Sequence, residues 1–146
     1  MEKKEFSIDI HAPREKVWDV LFSERTYPKW TSVFAEGSSV KTDGWKKGTQ
    51  VQFHDGKGSG MISKIADNVP NEYMSIEHLG MIKDGKEDYD SPEIKSWAGA
   101  KENYTLKSSN GDTKLVVDME LADEWKDYFN ETWPKALKKV KELAEN

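Results

Sequence analysis

Two side chains in the sequence have the chemistry that general acid–base work needs, Glu102 and His78. Glu102 alternates in phase with Tyr104 along one strand-like segment, so both point toward the more apolar face. His78 is in phase with Met74 and Ile76 along another, so it also faces the expected interior. A carboxylate and an imidazole that meet there could move a proton near neutral pH. A structural role stays open for each of them, because buried polar groups are normally hydrogen-bonded.

Aromatic residues at helical spacing form a second feature. Trp125, Phe129 and Trp133 recur every four residues, which places them on one face of a helix. This stripe could form a wall for a flat or lipid-like ligand, or it could be ordinary core packing.

Several other kinds of site are excluded or disfavoured. The chain has no cysteine, which removes thiolate nucleophiles, disulfides and cysteine-based metal sites. The three histidines lack paired ligand spacing, so we expect no metal site, and no motif indicates a cofactor. The glycine-rich segment 56–60 is expected to form a hairpin turn. The acidic segment 84–90 does not fit a calcium loop, and we expect a mobile surface loop that could act as a lid.

Composition narrows the class of partner. The chain has 146 residues, 22 Lys plus Arg and 27 Asp plus Glu, giving a net charge of −5. An acidic chain without a basic tract is a poor nucleic-acid binder. It carries no membrane-length apolar segment and no apolar leader, so we expect no stable membrane association and a cytoplasmic location. Its length and the absence of linkers predict a single domain over 1–146.

The pattern of apolar residues predicts the elements that hold these side chains. A strand ends before Pro13, and two short helices follow it. The next strands are expected near 35–42, 48–54, 58–66, 72–83, 96–107 and 113–121, separated by turn residues. The C-terminal segment predicts one long amphipathic helix, with a kink near 130–133 caused by Pro134. We therefore predict an α+β fold in which a curved seven-stranded antiparallel sheet wraps around the long C-terminal helix.

Three segments resemble a known superfamily. The opening IHAPREKVWDVL of residues 10–21, followed by YPKW at 27–30, is similar to the start of START-like, or SRPBCC, proteins. The segments WAGAKENYTL at 97–106 and WPKAL at 133–137 resemble small bacterial proteins related to the C-terminal domain of the activator of the Hsp90 ATPase. This resemblance spans the whole chain and implies a helix-grip fold. It also implies a deep pocket between the long helix and the sheet that opens near the short helices, where Trp30 and Phe34 would act as a gate.

The superfamily includes lipid carriers, hormone receptors, polyketide cyclases and co-chaperones, so the resemblance leaves function open. We favour a non-catalytic domain that binds a small hydrophobic, lipid-like or aromatic, molecule. One alternative is a cofactor-free cyclase or isomerase that uses Glu102 or His78 as acid or base. A further alternative is a chaperone-associated stress-response module. Such a module would need an exposed apolar patch, and the sequence indicates none. The predicted ligand-binding residues are Trp30, Phe34, Phe53, Met61, Met74, Ile76, His78, Glu102, Tyr104, Trp125, Phe129 and Trp133.

Overall fold

The computed structural model describes residues 2–146. The strands are β1 (Glu2–Ile10), β2 (Ser39–Thr42), β3 (Gln50–His54), β4 (Gly60–Val69), β5 (Tyr73–Lys83), β6 (Lys86–Asp88), β7 (Lys101–Ser109) and β8 (Asp112–Leu121). The helices are α1 (Arg14–Phe22), α2 (Tyr27–Thr31), α3 (Pro92–Lys95) and α4 (Lys126–Glu145), and a short 3-10 turn over Asp123–Trp125 leads into α4.

The strands form one antiparallel sheet in the order β1-β8-β7-β5-β4-β3-β2, and β6 pairs with β5 beside that path. Tight turns set the register. Between β7 and β8, Asn110 and Gly111 have φ values of 52° and 86°, the left-handed conformation that two-residue hairpins require. The α+β class, the antiparallel sheet and the long C-terminal helix are thus confirmed.

One continuous core joins α4 to the sheet. Trp133, Leu137 and Val140 of α4 are almost fully buried, and so are Trp30 of α2 and Tyr104 of β7. Large rings therefore supply much of the interior, which offsets the small number of aliphatic residues in the chain.

Pro134 does not interrupt α4. The helix runs from Lys126 to Glu145 with Pro134 inside it. Proline removes one backbone hydrogen bond, and the expected kink near 130–133 stays a prediction. The buried apolar stripe continues on both sides of Pro134, at Trp133 and Ala136.

The structure has eight strands where seven were predicted, and the difference lies in segment 84–100. Asp84 and Gly85 both have positive φ and close a tight hairpin between β5 and β6, so the expected surface loop is partly a strand. Gly80 permits this pairing, because a Cβ there would lie 2.6 Å from the Asp88 carbonyl oxygen. The next segment forms α3, so β7 begins at Lys101 rather than near residue 96.

Candidate functional site

A cavity of about 390 Å³ lies between α4, α2 and one face of the sheet. This volume is in the range of small-molecule binding sites. The lining residues are mostly apolar and include ten aromatic side chains. They come from α2, α3 and α4, from five strands and from the connecting segments. They are Tyr27, Trp30, Thr31, Phe34, Ser38, Phe53, Met61, His78, Met81, Glu93, Trp97, Ala100, Glu102, Tyr104, Met119, Glu120, Leu121, Ala122, Trp125, Tyr128, Phe129 and Trp133.

Glu102 forms the polar centre of this cavity. Its Oε1 lies 3.4 Å from Nε2 of His78, and its Oε2 accepts a hydrogen bond from the Tyr104 hydroxyl. The side chains of Glu102 and His78 remain 21% and 17% accessible. A carboxylate has about four acceptor positions, so Glu102 can still accept a hydrogen bond from a ligand.

The other ring nitrogen of His78 is held by Ser63. Ser63 Oγ lies 2.8 Å from His78 Nδ1, and Ser63 is fully buried. The two residues are direct partners across β4 and β5, whereas the register shifts just before them, where Ile62 pairs with Gly80. Both nitrogens of the imidazole therefore have a partner, which fixes the ring plane toward Glu102.

The bulge between β4 and β5 also changes which side chains face the cavity. Met61 pairs with Met81 and Ser63 pairs with His78, so β5 carries one extra residue, Leu79, over this stretch. An extra residue reverses the alternation of the strand that carries it. His78 and Met81 consequently both line the cavity although they are an odd number of residues apart.

Two tyrosines beside Glu102 keep their protons. Burial raises the pKa of Tyr104 well above its ordinary value, and the negative charge of Glu102 raises it further. Burial also raises the pKa of Tyr27 well above the ordinary value, with Glu102 again the second cause. Both hydroxyls therefore stay neutral and available as hydrogen-bond donors at physiological pH.

Aromatic rings pack against one another around this centre. The Trp30 and Trp133 ring centroids are 6.0 Å apart, and those of Tyr104 and Trp133 are 6.2 Å apart. Tyr27 extends the network by stacking on Phe53 at 5.6 Å. The indole N–H of Trp133 is buried without a hydrogen-bond partner among residues 2–146, so the aromatic wall contains one unpaired donor.

The rim of the cavity exposes two aromatic side chains. Trp125 and Tyr128 are 47% and 41% accessible, and their ring centroids are 6.3 Å apart. The Tyr128 hydroxyl donates a hydrogen bond of 3.3 Å to the carbonyl oxygen of Phe34, which links α4 to the segment after α2. The exposure of Trp125 and Tyr128 as a pair was not predicted from the sequence.

The charge of the lining is acidic. Glu93, Glu102 and Glu120 line the cavity, while no lysine or arginine of the described chain does so. Glu93 lies at the rim, 57% accessible and 3.4 Å from Lys83. Only Glu102 is placed inside the cavity, where it lies next to His78.

Ten of the twelve residues predicted to bind a ligand line the cavity, and Met74 and Ile76 do not. Those two are 0% and 2% accessible and belong to the continuous core. They face the same side as His78 but lie deeper under the helices. The structure shows where these ten side chains lie. That they contact a ligand stays a prediction.

Sequence reasoning missed several cavity residues. Tyr27 was assigned to a short helix without a role, and its place beside Pro28 at the start of α2 is the signal that could have found it. Met81 was missed because the bulge reverses the alternation of β5. Trp97 was counted as part of a strand, whereas it lies in the turn between α3 and β7.

A second depression is lined by Lys3, Lys101, Asn103, Asp118, Met119 and Glu120. Asn103 Nδ2 donates to Asp118 Oδ1 at 2.9 Å, and the Ser75 hydroxyl donates to Asn103 Oδ1 at 2.6 Å. Side chains on neighbouring strands thus satisfy one another, which is a common way to stabilise a sheet. We assign this depression no ligand.

Residues 2–146 contain neither a cluster of metal ligands nor a helix that could span a membrane. No three acidic or histidine side chains in this range stand close enough together to hold a metal ion. None of its helices combines the length and the apolar character needed to cross a bilayer.

The antiparallel sheet, the long helix packed against it and the aromatic cavity between them define a START-like, or SRPBCC, domain. Comparison of the sequence with family models narrows this class. Residues 11–145 match the family described as Activator of Hsp90 ATPase homolog 1-like protein, and the chain belongs to this family. It matches none of the curated proteins in sequence.

Solved structures with the same fold were also found. The solution structure of the Aha1 dimer from Colwellia psychrerythraea superposes with a TM-score of 0.74 at 21% identity, covering 99% of this chain and 97% of that one. Protein MLL2253 from Mesorhizobium loti gives a TM-score of 0.72 at 16% identity, with 97% and 96% covered. DynU16, from the dynemicin biosynthetic locus, gives 0.74 at 13% identity, with 100% of this chain and 48% of DynU16 covered. At these identities the likeness establishes the fold alone.

Proposed function

We propose that this chain binds a small hydrophobic molecule, lipid-like or aromatic, in the cavity between α4 and the sheet. The observation that carries the proposal is the lining: ten aromatic rings surround a volume of about 390 Å³ with one carboxylate inside it. Aromatic walls release water when an apolar ligand enters, and this burial is the source of the affinity.

The polar groups would set the orientation of the ligand. Glu102 is held from two sides, by His78 Nε2 at 3.4 Å and by the Tyr104 hydroxyl. Such a preorganised acceptor loses little freedom on binding, so one correctly placed donor on the ligand adds both affinity and direction. Among the similar structures, the place of DynU16 in a biosynthetic locus is compatible with a small-molecule role.

A titration with 1-naphthylmethanol, followed by calorimetry, tests the proposal. Ala122 lines the cavity, and Ala122→Trp places a large ring there. Val69→Trp is the matched control, since Val69 is 40% accessible and does not line the cavity. We expect saturable binding to the wild type and to Val69→Trp, and at least a tenfold weaker affinity for Ala122→Trp. Equal affinity in all three proteins would place the probe outside the cavity and contradict the proposal.

A second candidate function is cofactor-free acid–base catalysis, of the cyclase or isomerase kind. The distance of 3.4 Å between His78 Nε2 and Glu102 Oε1 favours it, because one of these groups can remove an α-proton from a bound ketone while the other, in its protonated form, donates a proton to the carbonyl oxygen. The test is exchange of the α-protons of 1-tetralone in D₂O, followed by proton NMR. A catalyst accelerates the exchange and loses the acceleration in Glu102→Gln while still binding the ketone. A binding protein gives the uncatalysed rate in both forms.

A further inference from the structure

The cavity combines many aromatic faces with buried negative charge and very little positive charge. Among the described residues that line it, three are glutamates and none is lysine or arginine. A fatty acid or another apolar anion would meet no fixed cation there, and it would meet the Glu102 carboxylate at the centre. Like charges in a partly enclosed site repel strongly. The lining therefore discriminates between ligands by their charge as well as by their shape.

The positions of the rings favour the opposite sign of charge. Tyr104 donates to Glu102, and the ring centroids of Trp30 and Trp133 lie 6.5 and 6.2 Å from that of Tyr104. The face of an aromatic ring attracts a cation within about 6 Å of its centroid. A positive group beside Glu102 would thus donate a charge-assisted hydrogen bond to the carboxylate and lie close to these aromatic rings.

His78 does not fill this role. Its Nδ1 is 2.8 Å from the Ser63 hydroxyl, and its Nε2 faces only Oε1 of Glu102. The imidazole is thereby tied to the sheet at the edge of the carboxylate, and the remaining acceptor positions of Glu102 stay open to the cavity. The rim acid Glu93 has its own partner in Lys83 at 3.4 Å, and Glu120 is exposed to solvent. The unmatched acceptor capacity inside the cavity therefore lies at Glu102.

Resting on the proposed function, we infer that the preferred ligand is an apolar, aromatic molecule that carries an amine, bound as the ammonium with its N–H groups directed at Glu102. The apolar part of this ligand lies among the aromatic walls toward the rim. Neutral aromatic molecules bind more weakly, and apolar carboxylates bind weakest. Burial of apolar surface alone would not give the cavity this preference for a positively charged ligand.

Three probes that differ in one group test this inference: 1-naphthylmethylammonium, 1-naphthylmethanol and 1-naphthylacetate. We expect the ammonium to bind about tenfold more tightly than the alcohol, which is the effect of one charge-assisted hydrogen bond. The acetate should bind more weakly than the alcohol. Equal affinities, or tightest binding of the acetate, would overturn the inference while binding of the alcohol would leave the proposed function standing. If none of the three binds, the proposed function fails together with the inference.

The variant Glu102→Gln tests whether Glu102 causes the preference for the ammonium probe. It keeps the size of the side chain and removes the charge, so the ammonium should lose its tenfold advantage while the affinity for the alcohol changes by less than about threefold. Glu142→Gln is the matched control, because Glu142 is exposed and lies outside the cavity lining, and it should keep the full preference. An unchanged preference in Glu102→Gln would overturn the assignment, and the order of the three probes on the wild type remains a test if the variant does not fold.

Discussion

Ser63 and His78 face each other across β4 and β5, with Ser63 Oγ 2.8 Å from His78 Nδ1. This contact exists because β5 carries one residue more than β4 over the same stretch. The bulge turns the imidazole so that its other nitrogen reaches Glu102. A serine outside the cavity thus positions the polar group inside it, and the line from Ser63 through His78 and Glu102 to Tyr104 joins three strands.

Replacing Ser63 by alanine should destabilise the fold by about 1 kcal/mol, because His78 Nδ1 then lacks its partner. This loss of stability is small for an unpaired buried polar group, because the His78 side chain is 17% accessible and water can reach it. Urea unfolding measures the change. The control is Ser108→Ala on the exposed part of β7, which we expect to stay within about 0.5 kcal/mol of the wild type. Equal stabilities of the two variants would contradict the positioning role of Ser63.

Tyr27 and Tyr104 should give the fold an alkaline limit. Their pKa values are raised in the folded state, so the folded chain holds these protons more tightly than the unfolded chain. Stability from this source is complete below the ordinary tyrosine pKa of about 10 and decreases as the pH rises above it toward the folded values.

Absorbance at 295 nm during an alkaline titration tests this expectation. The two tyrosines should ionise only together with unfolding, so Tyr27→Phe or Tyr104→Phe should reduce the amplitude of the step that coincides with unfolding. A reduction in the earlier, reversible step instead would show that the substituted tyrosine is not held neutral by the fold.

The rim aromatic Trp125 should matter for binding more than for stability. It is 47% accessible and lines the cavity, so Trp125→Ala removes ligand contact while changing the free energy of unfolding by less than about 1 kcal/mol. We expect the affinity for 1-naphthylmethanol to fall by about threefold to tenfold. Tyr89→Ala is the control, because Tyr89 is 39% accessible and lies outside the cavity lining. A weaker affinity in the Tyr89 variant than in the Trp125 variant would contradict this assignment.

Gly80 should be required for the pairing of β6. An added Cβ would lie 2.6 Å from the Asp88 carbonyl oxygen and 2.7 Å from the Tyr89 ring. We expect Gly80→Ala to cost about 1–3 kcal/mol, as overpacked sites do. Amide hydrogen exchange should show faster exchange in β6. Unchanged protection of β6 in this variant would show that the close approach is not needed.

Apolar periodicity carried most of the information about the fold. Alternation on β7 placed Glu102 and Tyr104 on the inner face, and the spacing of Trp125, Phe129 and Trp133 located the start of α4 correctly. These signals are local, and packing reinforces them. The hairpin at Asn110 and Gly111 was likewise readable, because its two residue types adopt left-handed backbone easily.

What the sequence could not predict depends on contacts between distant segments. The bulge at Leu79 is marked in the sequence only by the neighbouring Gly80, which does not show which side chains it turns. Neither Met81 nor the contact between Ser63 and His78 was therefore predicted. Met74 and Ile76 share the inner face with His78, and alternation cannot tell a cavity wall from a filled core. Pro134 lies inside a continuous α4, and the bend expected at this residue stays a prediction.

The central claim is that ligand enters the cavity between α4 and the sheet, and the indole N–H signals of the tryptophans report on it directly. Trp30, Trp97, Trp125 and Trp133 line the cavity, whereas the other two of the six tryptophans, Trp18 and Trp45, do not. A titration of the ¹⁵N-labelled protein with 1-naphthylmethanol should shift signals of the four cavity tryptophans and leave those of Trp18 and Trp45 in place. Saturating probe that leaves all four cavity signals unmoved, or that shifts only Trp18 and Trp45, would contradict the claim.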